Sequence, residues 1–243
     1  MWVRVTLRRG SWEGQYAVEV PSGLAEPADL VPALHQLSDQ IANSSDPSIA
    51  CGPGCGACCR QLVPVTSPEI GFLQQLVQEM PASRRQSIER VSVAAAEALT
   101  TGGFGSPDEL CTKDKAKRRQ LAIKWFGLGI PCPFLVDESC SIHESRPLAC
   151  REYLVTNPPQ ACSTPGRGSI ERLFPPVSIW SRVARWPTGE PRWLPLAAAL
   201  RAPMHQTAAE TGPGLLSSLL TTRTQGKPQP ESVTPAPRYR LMG

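Results

Sequence analysis

The residues best suited to chemistry are four cysteines gathered in one short segment, Cys51-Gly-Pro-Gly-Cys-Gly-Ala-Cys-Cys59. Thiolates are ligands of iron–sulfur clusters and of zinc, which takes four of them tetrahedrally at about 2.3 Å. The two-residue step between Cys55 and Cys58 is the spacing that lets neighbouring thiolates point at the same ion. The segment therefore predicts a metal ion or an iron–sulfur cluster.

Small residues separate these cysteines, among them Gly52, Gly54 and Gly56. A turn that wraps a metal needs positive φ angles, which only glycine adopts at low cost. Backbone N–H groups freed by such turns can also donate hydrogen bonds to sulfur. We therefore expect these three glycines to adopt positive φ angles around a group of thiolates.

All nine cysteines lie between positions 51 and 162. Apart from Cys111, they form two groups of four on either side of a helical insert. We expect Cys111 to be a small buried hydrophobic residue, as single cysteines often are. For the other cysteines, disulfides remain an alternative to metal ligation. A catalytic Cys–His pair is a further alternative, for which only His143 lies near the cysteines.

Composition and charge narrow the class of protein. The chain has 243 residues, 41% of them hydrophobic, and a net charge of +4. This charge is too small to suggest the concentrated basic face of a nucleic-acid-binding protein. No apolar run approaches the ~20 residues that span a bilayer, and the N-terminal segment lacks the apolar region of a secretory signal. We therefore expect a cytoplasmic protein with no nucleic-acid or membrane partner, where clustered cysteines bind metals more often than they form disulfides.

The hydrophobic periodicity predicts an α+β fold that is mainly helical and loop-rich, with a small β-hairpin within residues 2–20. Ser67-Pro68-Glu69 predicts a helix start capped by Ser67, and Ser83 with Gln86 predicts a capping box for the next helix. The expected helices cover residues 28–42, 67–80, 83–102, 107–126 and 201–220.

We expect four regions along the chain. They are an N-terminal hairpin and helix (1–47), a cysteine-cluster domain (48–163), a Pro- and Trp-rich extension packing on it (164–220), and a disordered tail (221–243).

Several blocks, in order, resemble the YkgJ-type cysteine-cluster family. The blocks are CGPGCGACCR at 51–60, CPFL at 132–135, Cys140-Ser-Ile, Glu144-Ser-Arg-Pro147 and Cys150-Arg-Glu-Tyr153. The domain of this family is described as zinc- or iron-chelating. The resemblance implies that two cysteine-bearing loops converge on a metal centre. The metal-site cysteines that it implies are Cys51, Cys55, Cys58, Cys59, Cys132, Cys140 and Cys150, with Cys162 as an eighth.

Polar residues in the same blocks have two interpretations. Arg146 and Arg151 either offset the negative charge of the thiolates or hold an anion, or they pair with nearby acids. The acids available for such pairs are Asp137, Glu138, Glu144 and Glu152. His143 stands where the family often has tyrosine, so we expect it to be an aromatic substitute and not a ligand.

Three functions remain open at this stage, and the sequence does not decide whether the protein is an enzyme. The first is a protein whose cysteines bind zinc or an iron–sulfur cluster in a binding or structural role. The second is an iron–sulfur enzyme, because some relatives of the domain are protein-lysine N-methylases. Against this hypothesis, the sequence shows no Gly-rich loop of the kind that binds a nucleotide methyl donor. The third is a redox or metal-trafficking protein. A basic run from Lys113 to Arg119 is either a patch for an acidic protein partner or a solvated helix face.

Overall fold

The computed structural model describes residues 1–44, 49–52, 54–163, 170–202, 209–220 and 233–235. Within them the fold is a mixture of helices and small antiparallel sheets. None of the helices formed by these residues combines the length and apolarity that crossing a bilayer requires. The predicted tail lies outside the described residues, except for 233–235, and its disorder stays a prediction.

The strands are β1 (Trp2–Arg9), β2 (Trp12–Glu19), β3 (Leu24–Ala25), β4 (Pro64–Val65), β5 (Leu135–Val136), β6 (Ser139–Cys140), β7 (Leu154–Val155), β8 (Arg172–Leu173), β9 (Leu194–Pro195), β10 (Glu210–Thr211) and β11 (Val233–Pro235). The helices are α1 (Val31–Asn43), α2 (Ser67–Gln78), α3 (Ala82–Thr101), α4 (Pro107–Leu110), α5 (Lys115–Gly127), α6 (Leu148–Arg151), α7 (Ile179–Val183), α8 (Leu196–Ala199) and α9 (Gly212–Leu220). Short 3₁₀ helices span Pro27–Leu30, His143–Ser145 and Pro159–Ser163.

The N-terminal hairpin is confirmed. β1 pairs antiparallel with β2 along its whole length, from Trp2 opposite Glu19 to Arg9 opposite Trp12. On its other edge β1 pairs with β11, which completes a three-stranded sheet. The other strands form four two-stranded pairs: β10 with β3, β4 with β9, β5 with β6, and β7 with β8.

The sheet and α1 form one apolar core with helices from the C-terminal part of the chain. Val3, Val5 and Leu7 of β1 pack with apolar residues of α1, α7 and α9. This cluster also contains Leu148 of α6. Residues from the first and third predicted regions therefore share a core, while the region boundaries stay predictions.

A second core lies beside the cysteine segments. It contains Val65, Leu73 and Phe134, and the partly buried Cys132 and Cys140 pack against it. A third, smaller cluster joins α3, α4 and α5 through residues such as Phe104 and Trp125. The cysteines are therefore held by apolar packing on one side.

Several predicted helix ends are wrong in detail. The N-cap of α2 is Thr66, not Ser67, because Thr66 and Glu69 form the reciprocal capping box. The predicted box at Ser83 is absent, since α3 begins directly after Pro81 and has no side-chain cap.

Two further predicted helices are shorter than expected. The helix expected over 107–126 is broken in two, because the Asp114 carboxylate accepts from the N–H groups of Ala116 and Lys117 and starts α5 anew. Of the helix expected over 201–220, the described part is α9, and residues 203–208 lie outside the described chain.

Glu69 of α2 is a buried carboxylate that joins two elements of the domain, with 1% of its surface exposed. One oxygen accepts from the N–H and hydroxyl of Thr66, at 2.9 and 2.7 Å. The other accepts from the N–H of Leu148 at 2.7 Å, at the start of α6. Because Cys150 and Arg151 belong to α6, Glu69 fixes their position relative to α2.

We expect Glu69→Ala to destabilise the protein by about 2–4 kcal/mol, because it leaves the N–H groups of Leu148 and Thr66 buried without an acceptor. Urea unfolding followed by circular dichroism measures this loss. The matched control is Glu97→Ala at an exposed position of α3, which should change stability by less than about 0.5 kcal/mol. Equal unfolding midpoints for the two variants would contradict the role given to Glu69.

Candidate metal centre

The segment 51–61 is a series of tight turns that carry the first four cysteines. The N–H of Cys55 donates to Gly52 O at 3.3 Å, and that of Cys59 to Gly56 O at 2.9 Å. The N–H of Gln61 donates to Cys58 O at 3.0 Å. These turns keep the four thiols within one compact loop.

The three glycines of this loop differ in what they require. Gly54 has a positive φ of +87°, as predicted. Gly52 and Gly56 do not adopt positive φ angles, so the expectation for these two is wrong. A Cβ at Gly56 would overlap the backbone carbonyl of Glu138 and lie 2.8 Å from Leu135 Cδ1, whereas a Cβ at Gly52 would meet nothing within 4 Å. Glycine is therefore required at 56 because the loop lies directly against the β5–β6 hairpin.

Backbone and side-chain bonds fasten the two cysteine segments together. The N–H of Cys132 donates to Cys59 O at 2.6 Å. The Arg60 guanidinium binds both carboxylate oxygens of Glu138, at 2.9 and 2.6 Å. Cys140 lies in β6, opposite Leu135 of β5. Segments that are distant in sequence are thus adjacent in the fold, as the sequence predicts.

A third segment closes the site from the other side. The Ala50 N–H donates to Val155 O of β7 at 2.8 Å, and the Cys51 thiol lies 3.7 Å from Tyr153 O. Cys150 belongs to α6, immediately before this segment.

These segments surround a single cavity of about 70 Å³. Seven of the eight predicted cysteines line it: Cys51, Cys55, Cys58, Cys59, Cys132, Cys140 and Cys150. Apolar side chains, including Phe134 and Ile142, complete the wall. The structure therefore brings together thiols from both halves of the domain.

Cys58 is the centre of this group. Its thiol hydrogen-bonds with that of Cys59, and this bond together with burial raises the pKa of Cys58 far above the ordinary value. A charge on Cys58 also raises the pKa of thiols in the other segments of the site, as the largest cause after burial for Cys150 and Cys162 and as a smaller cause for the others. These thiols are Cys51, Cys132, Cys140, Cys150 and Cys162.

Burial makes these thiols difficult to ionise. It raises the pKa of Cys132 to about 12 and that of Cys150 well above the ordinary value. Burial raises the pKa of Cys51 and Cys140 as well. A buried thiol loses the hydration of its charged form, and each neighbouring thiolate adds repulsion. The group therefore keeps its protons unless a cation enters to balance the charge, and a soft divalent metal is the cation that such a donor set suits.

Arg146 is the fixed positive charge at the cavity wall. It lowers the pKa of Cys51, Cys58 and Cys140, in each case against the larger effect of burial. The same guanidinium Nη1 lies 3.0 Å from the ring nitrogens of His143 and donates to the His143 carbonyl at 2.9 Å. Burial, with Arg146 next, lowers the pKa of His143. His143 therefore lies beside the thiols with its ring held by Arg146.

Arg151 has a different role from Arg146. It is 3% exposed, forms an ion pair with Asp39 of α1 and donates to the backbone carbonyls of Arg146 and Glu144. Arg151 therefore pairs with an acid that is distant in sequence, and not with one of the four nearby acids that the sequence suggested. Arg151 ties α1 to the wall of the cavity.

The thiols share a cavity without meeting at one point. Among the described residues, no group of three or more His, Cys, Asp or Glu side chains is arranged closely enough to hold a metal ion as it stands. Ligation would therefore require rotation of the thiols about their Cα–Cβ bonds. Their donor chemistry, number and shared cavity fit a metal centre, and the ligand set stays a prediction.

Two cysteines lie outside the cavity wall. Cys162 is buried, and its pKa is raised to about 11 by burial and then by Cys58, Cys51 and Cys55, which places it next to the first loop. Cys111 lies away from the other thiols, with its Sγ 3.5 Å from Trp193 O.

Sequence reasoning missed three residues that shape the site. Tyr153 lines the cavity, Glu69 positions α6, and Asp39 neutralises Arg151. Tyr153 belongs to a block that marks the family resemblance, which could have identified it. Glu69 and Asp39 carry no such signal, because their partners are distant in sequence.

Comparison with known proteins gives one match. Residues 50–165 match the family model described as "CxxCxxCC: Putative zinc- or iron-chelating domain". No curated protein and no solved structure matches the chain. The matched segment contains all seven cavity cysteines together with Cys162. This match agrees with the resemblance to a cysteine-cluster family that the sequence blocks indicate.

Proposed function

We propose that the cavity cysteines bind a metal centre, either zinc or an iron–sulfur cluster, shared by both halves of the domain. The observation that supports this most directly is that seven thiols from separate segments line one cavity. Zinc and iron–sulfur clusters both take thiolate ligands in groups of four. Seven thiols, with Cys162 beside them, provide enough donors for two four-coordinate sites or for one site with spare thiols.

The described residues support a binding or structural role for this centre better than the two alternatives. Three polar contacts hold the walls of the cavity to neighbouring elements. Arg60 binds Glu138, Glu69 accepts from the Leu148 N–H, and Arg151 pairs with Asp39. A centre bound there would join the loop 51–60 to the β5–β6 hairpin and to α6. A closed thiolate centre of this kind contributes on the order of 10 kcal/mol to folding.

The identity of the metal can be read from the colour and composition of the protein. Iron–sulfur clusters absorb near ~400 nm through sulfur-to-iron charge transfer, whereas zinc thiolates are colourless in the visible range. Anaerobic purification followed by metal analysis and a visible spectrum distinguishes the two. Finding no zinc and no iron, together with two or more disulfides, would overturn the proposal.

We expect Cys58→Ser to lose most of the bound metal and to unfold more easily, because Cys58 lies at the centre of the thiol group. Metal content per chain and thermal unfolding measure the two effects. The matched control is Cys111→Ser, which lies outside the cavity and should keep the metal content of the unmodified protein. Equal metal content in the two variants would contradict the assignment of Cys58.

We expect Gly56→Ala to lose metal and about 1–3 kcal/mol of stability, because the added methyl group forces the loop away from the β5–β6 hairpin. Gly52→Ala lies in the same loop and meets no atom, so it should bind metal normally. Metal content and urea unfolding of both variants test this. Normal metal binding by Gly56→Ala would show that contact between these segments is not needed for the centre.

We expect metal affinity to rise steeply with pH. Burial raises the pKa of Cys132 and Cys150, so these two thiols are protonated at neutral pH, and each thiol that ligates must release its proton. The apparent zinc binding constant should therefore rise by about tenfold per pH unit for every proton released. Competition with a chromophoric zinc chelator at several pH values between about 6 and 8 measures the slope. Binding that does not change with pH would exclude ligation by these thiols.

A further inference from the structure

A second recess, the arginine cleft, shares one wall residue, Tyr153, with the thiol cavity. Its volume is about 490 Å³, within the range of small-molecule sites. Its wall includes Arg9, Tyr153, Arg172, Phe174 and Trp180. No part of the metal proposal uses this cleft.

The acidic residue of the cleft is already engaged within the protein. Glu152 accepts from the Ser178 hydroxyl at 2.6 Å and from the Trp180 N–H at 2.8 Å. Ser178 in turn accepts from the N–H of Ser181 and caps α7. Glu152 and Ser178 therefore hold α7 against the floor of the cleft and leave little capacity for a ligand.

The polar groups that remain are hydrogen-bond donors. The Arg172 guanidinium lies 4.4 Å from the ring centre of Tyr153 and 4.8 Å from that of Phe174, and it forms no ion pair with any described residue. Arg9 uses Nη1 for the carbonyl of Pro176. Guanidinium groups donate and do not accept, so the cleft suits an acceptor with negative charge.

The aromatic part of the cleft is also open. Phe174 is 70% exposed, although it is a large apolar side chain. Its ring and that of Tyr153 both contact the Arg172 guanidinium, and a planar ligand can stack on aromatic and guanidinium groups of this kind.

We propose that the arginine cleft binds a small planar anion, that is, a ring that carries a carboxylate or phosphate group. Arg172 and Arg9 bind the anionic group, and the aromatic side chains contact the ring. A ligand held there lies next to Tyr153, which also lines the thiol cavity. The same charges disfavour a lysine ammonium group in this cleft, because two guanidinium groups would repel it.

Isothermal titration calorimetry of the full chain with phenyl phosphate, benzoate, phenol and benzylamine tests the proposal. We expect phenyl phosphate and benzoate to bind. The tighter of the two shows whether the cleft prefers a phosphate or a carboxylate group. The neutral phenol and the cationic benzylamine should bind at least tenfold more weakly. Raising the salt concentration should weaken anion binding, because the arginines are solvent-accessible.

Variants assign the binding to the cleft. Arg172→Gln should weaken anion binding by about tenfold or more, and Phe174→Ala should weaken it for both anions. The matched control is Arg119→Gln on the exposed face of α5, which should bind like the unmodified protein. Arg172 and Phe174 are both exposed, and circular dichroism with metal analysis will verify that the variants keep the fold and the metal centre.

Three results would overturn this inference. They are no anion binding at millimolar concentration, equal binding of phenol and the anions, and normal binding by Arg172→Gln and Phe174→Ala. Each of them leaves the metal proposal intact, because metal content is measured separately in the same preparations.

Discussion

The candidate site depends on one electrostatic constraint, the gathering of seven partly buried thiols around one cavity. A thiol removed from water resists ionisation, and every further thiolate nearby makes ionisation less favourable. The pKa of Cys58 is raised first by its hydrogen bond with Cys59 and then by burial, and Cys58 in turn raises the pKa of Cys150. Arg146 is a partial counter-charge for a few of them. The group as a whole lacks enough fixed positive charge for several thiolates, and a bound cation is the direct way to supply it.

The walls of the cavity are held by interactions that do not involve the thiols. Glu69 of α2 is buried and accepts from the N–H of Leu148 at the start of α6. Arg151 of α6 is also buried, and it pairs with Asp39 of α1 and donates to the Arg146 carbonyl. On the other side, Arg60 and the close approach at Gly56 fix the first loop to the hairpin that carries Cys140. Removing one partner of such a buried pair costs more than the pair contributes, since the remaining group is left unsatisfied. These polar contacts therefore hold the cysteine-bearing segments in place around the cavity.

Short-range sequence patterns predicted much of this arrangement. They could not predict contacts between residues that are distant in sequence. The cysteine spacing indicated the site, and the alternation in the first strands indicated the hairpin. Helix ends were less reliable, because Ser67 and Thr66 are both good caps and only the reciprocal bond with Glu69 selects Thr66. The ion pair of Arg151 with Asp39 could not be predicted, because the two residues are distant in sequence and no local pattern links them. The need for glycine at 56 likewise depends on a carbonyl from a distant hairpin.

The chemistry of the thiol cavity and that of the arginine cleft are complementary, and Tyr153 lines both of them. The cavity gathers donors for a cation, whereas the cleft presents guanidinium groups that suit an anion. Glu152, the acid that lines the cleft, accepts from Ser178 and Trp180 and forms no ion pair with Arg172. If Glu152 instead paired with Arg172, the cleft would lose its free guanidinium. Because Ser178 and Trp180 satisfy Glu152, the Arg172 guanidinium keeps its positive charge available in the cleft.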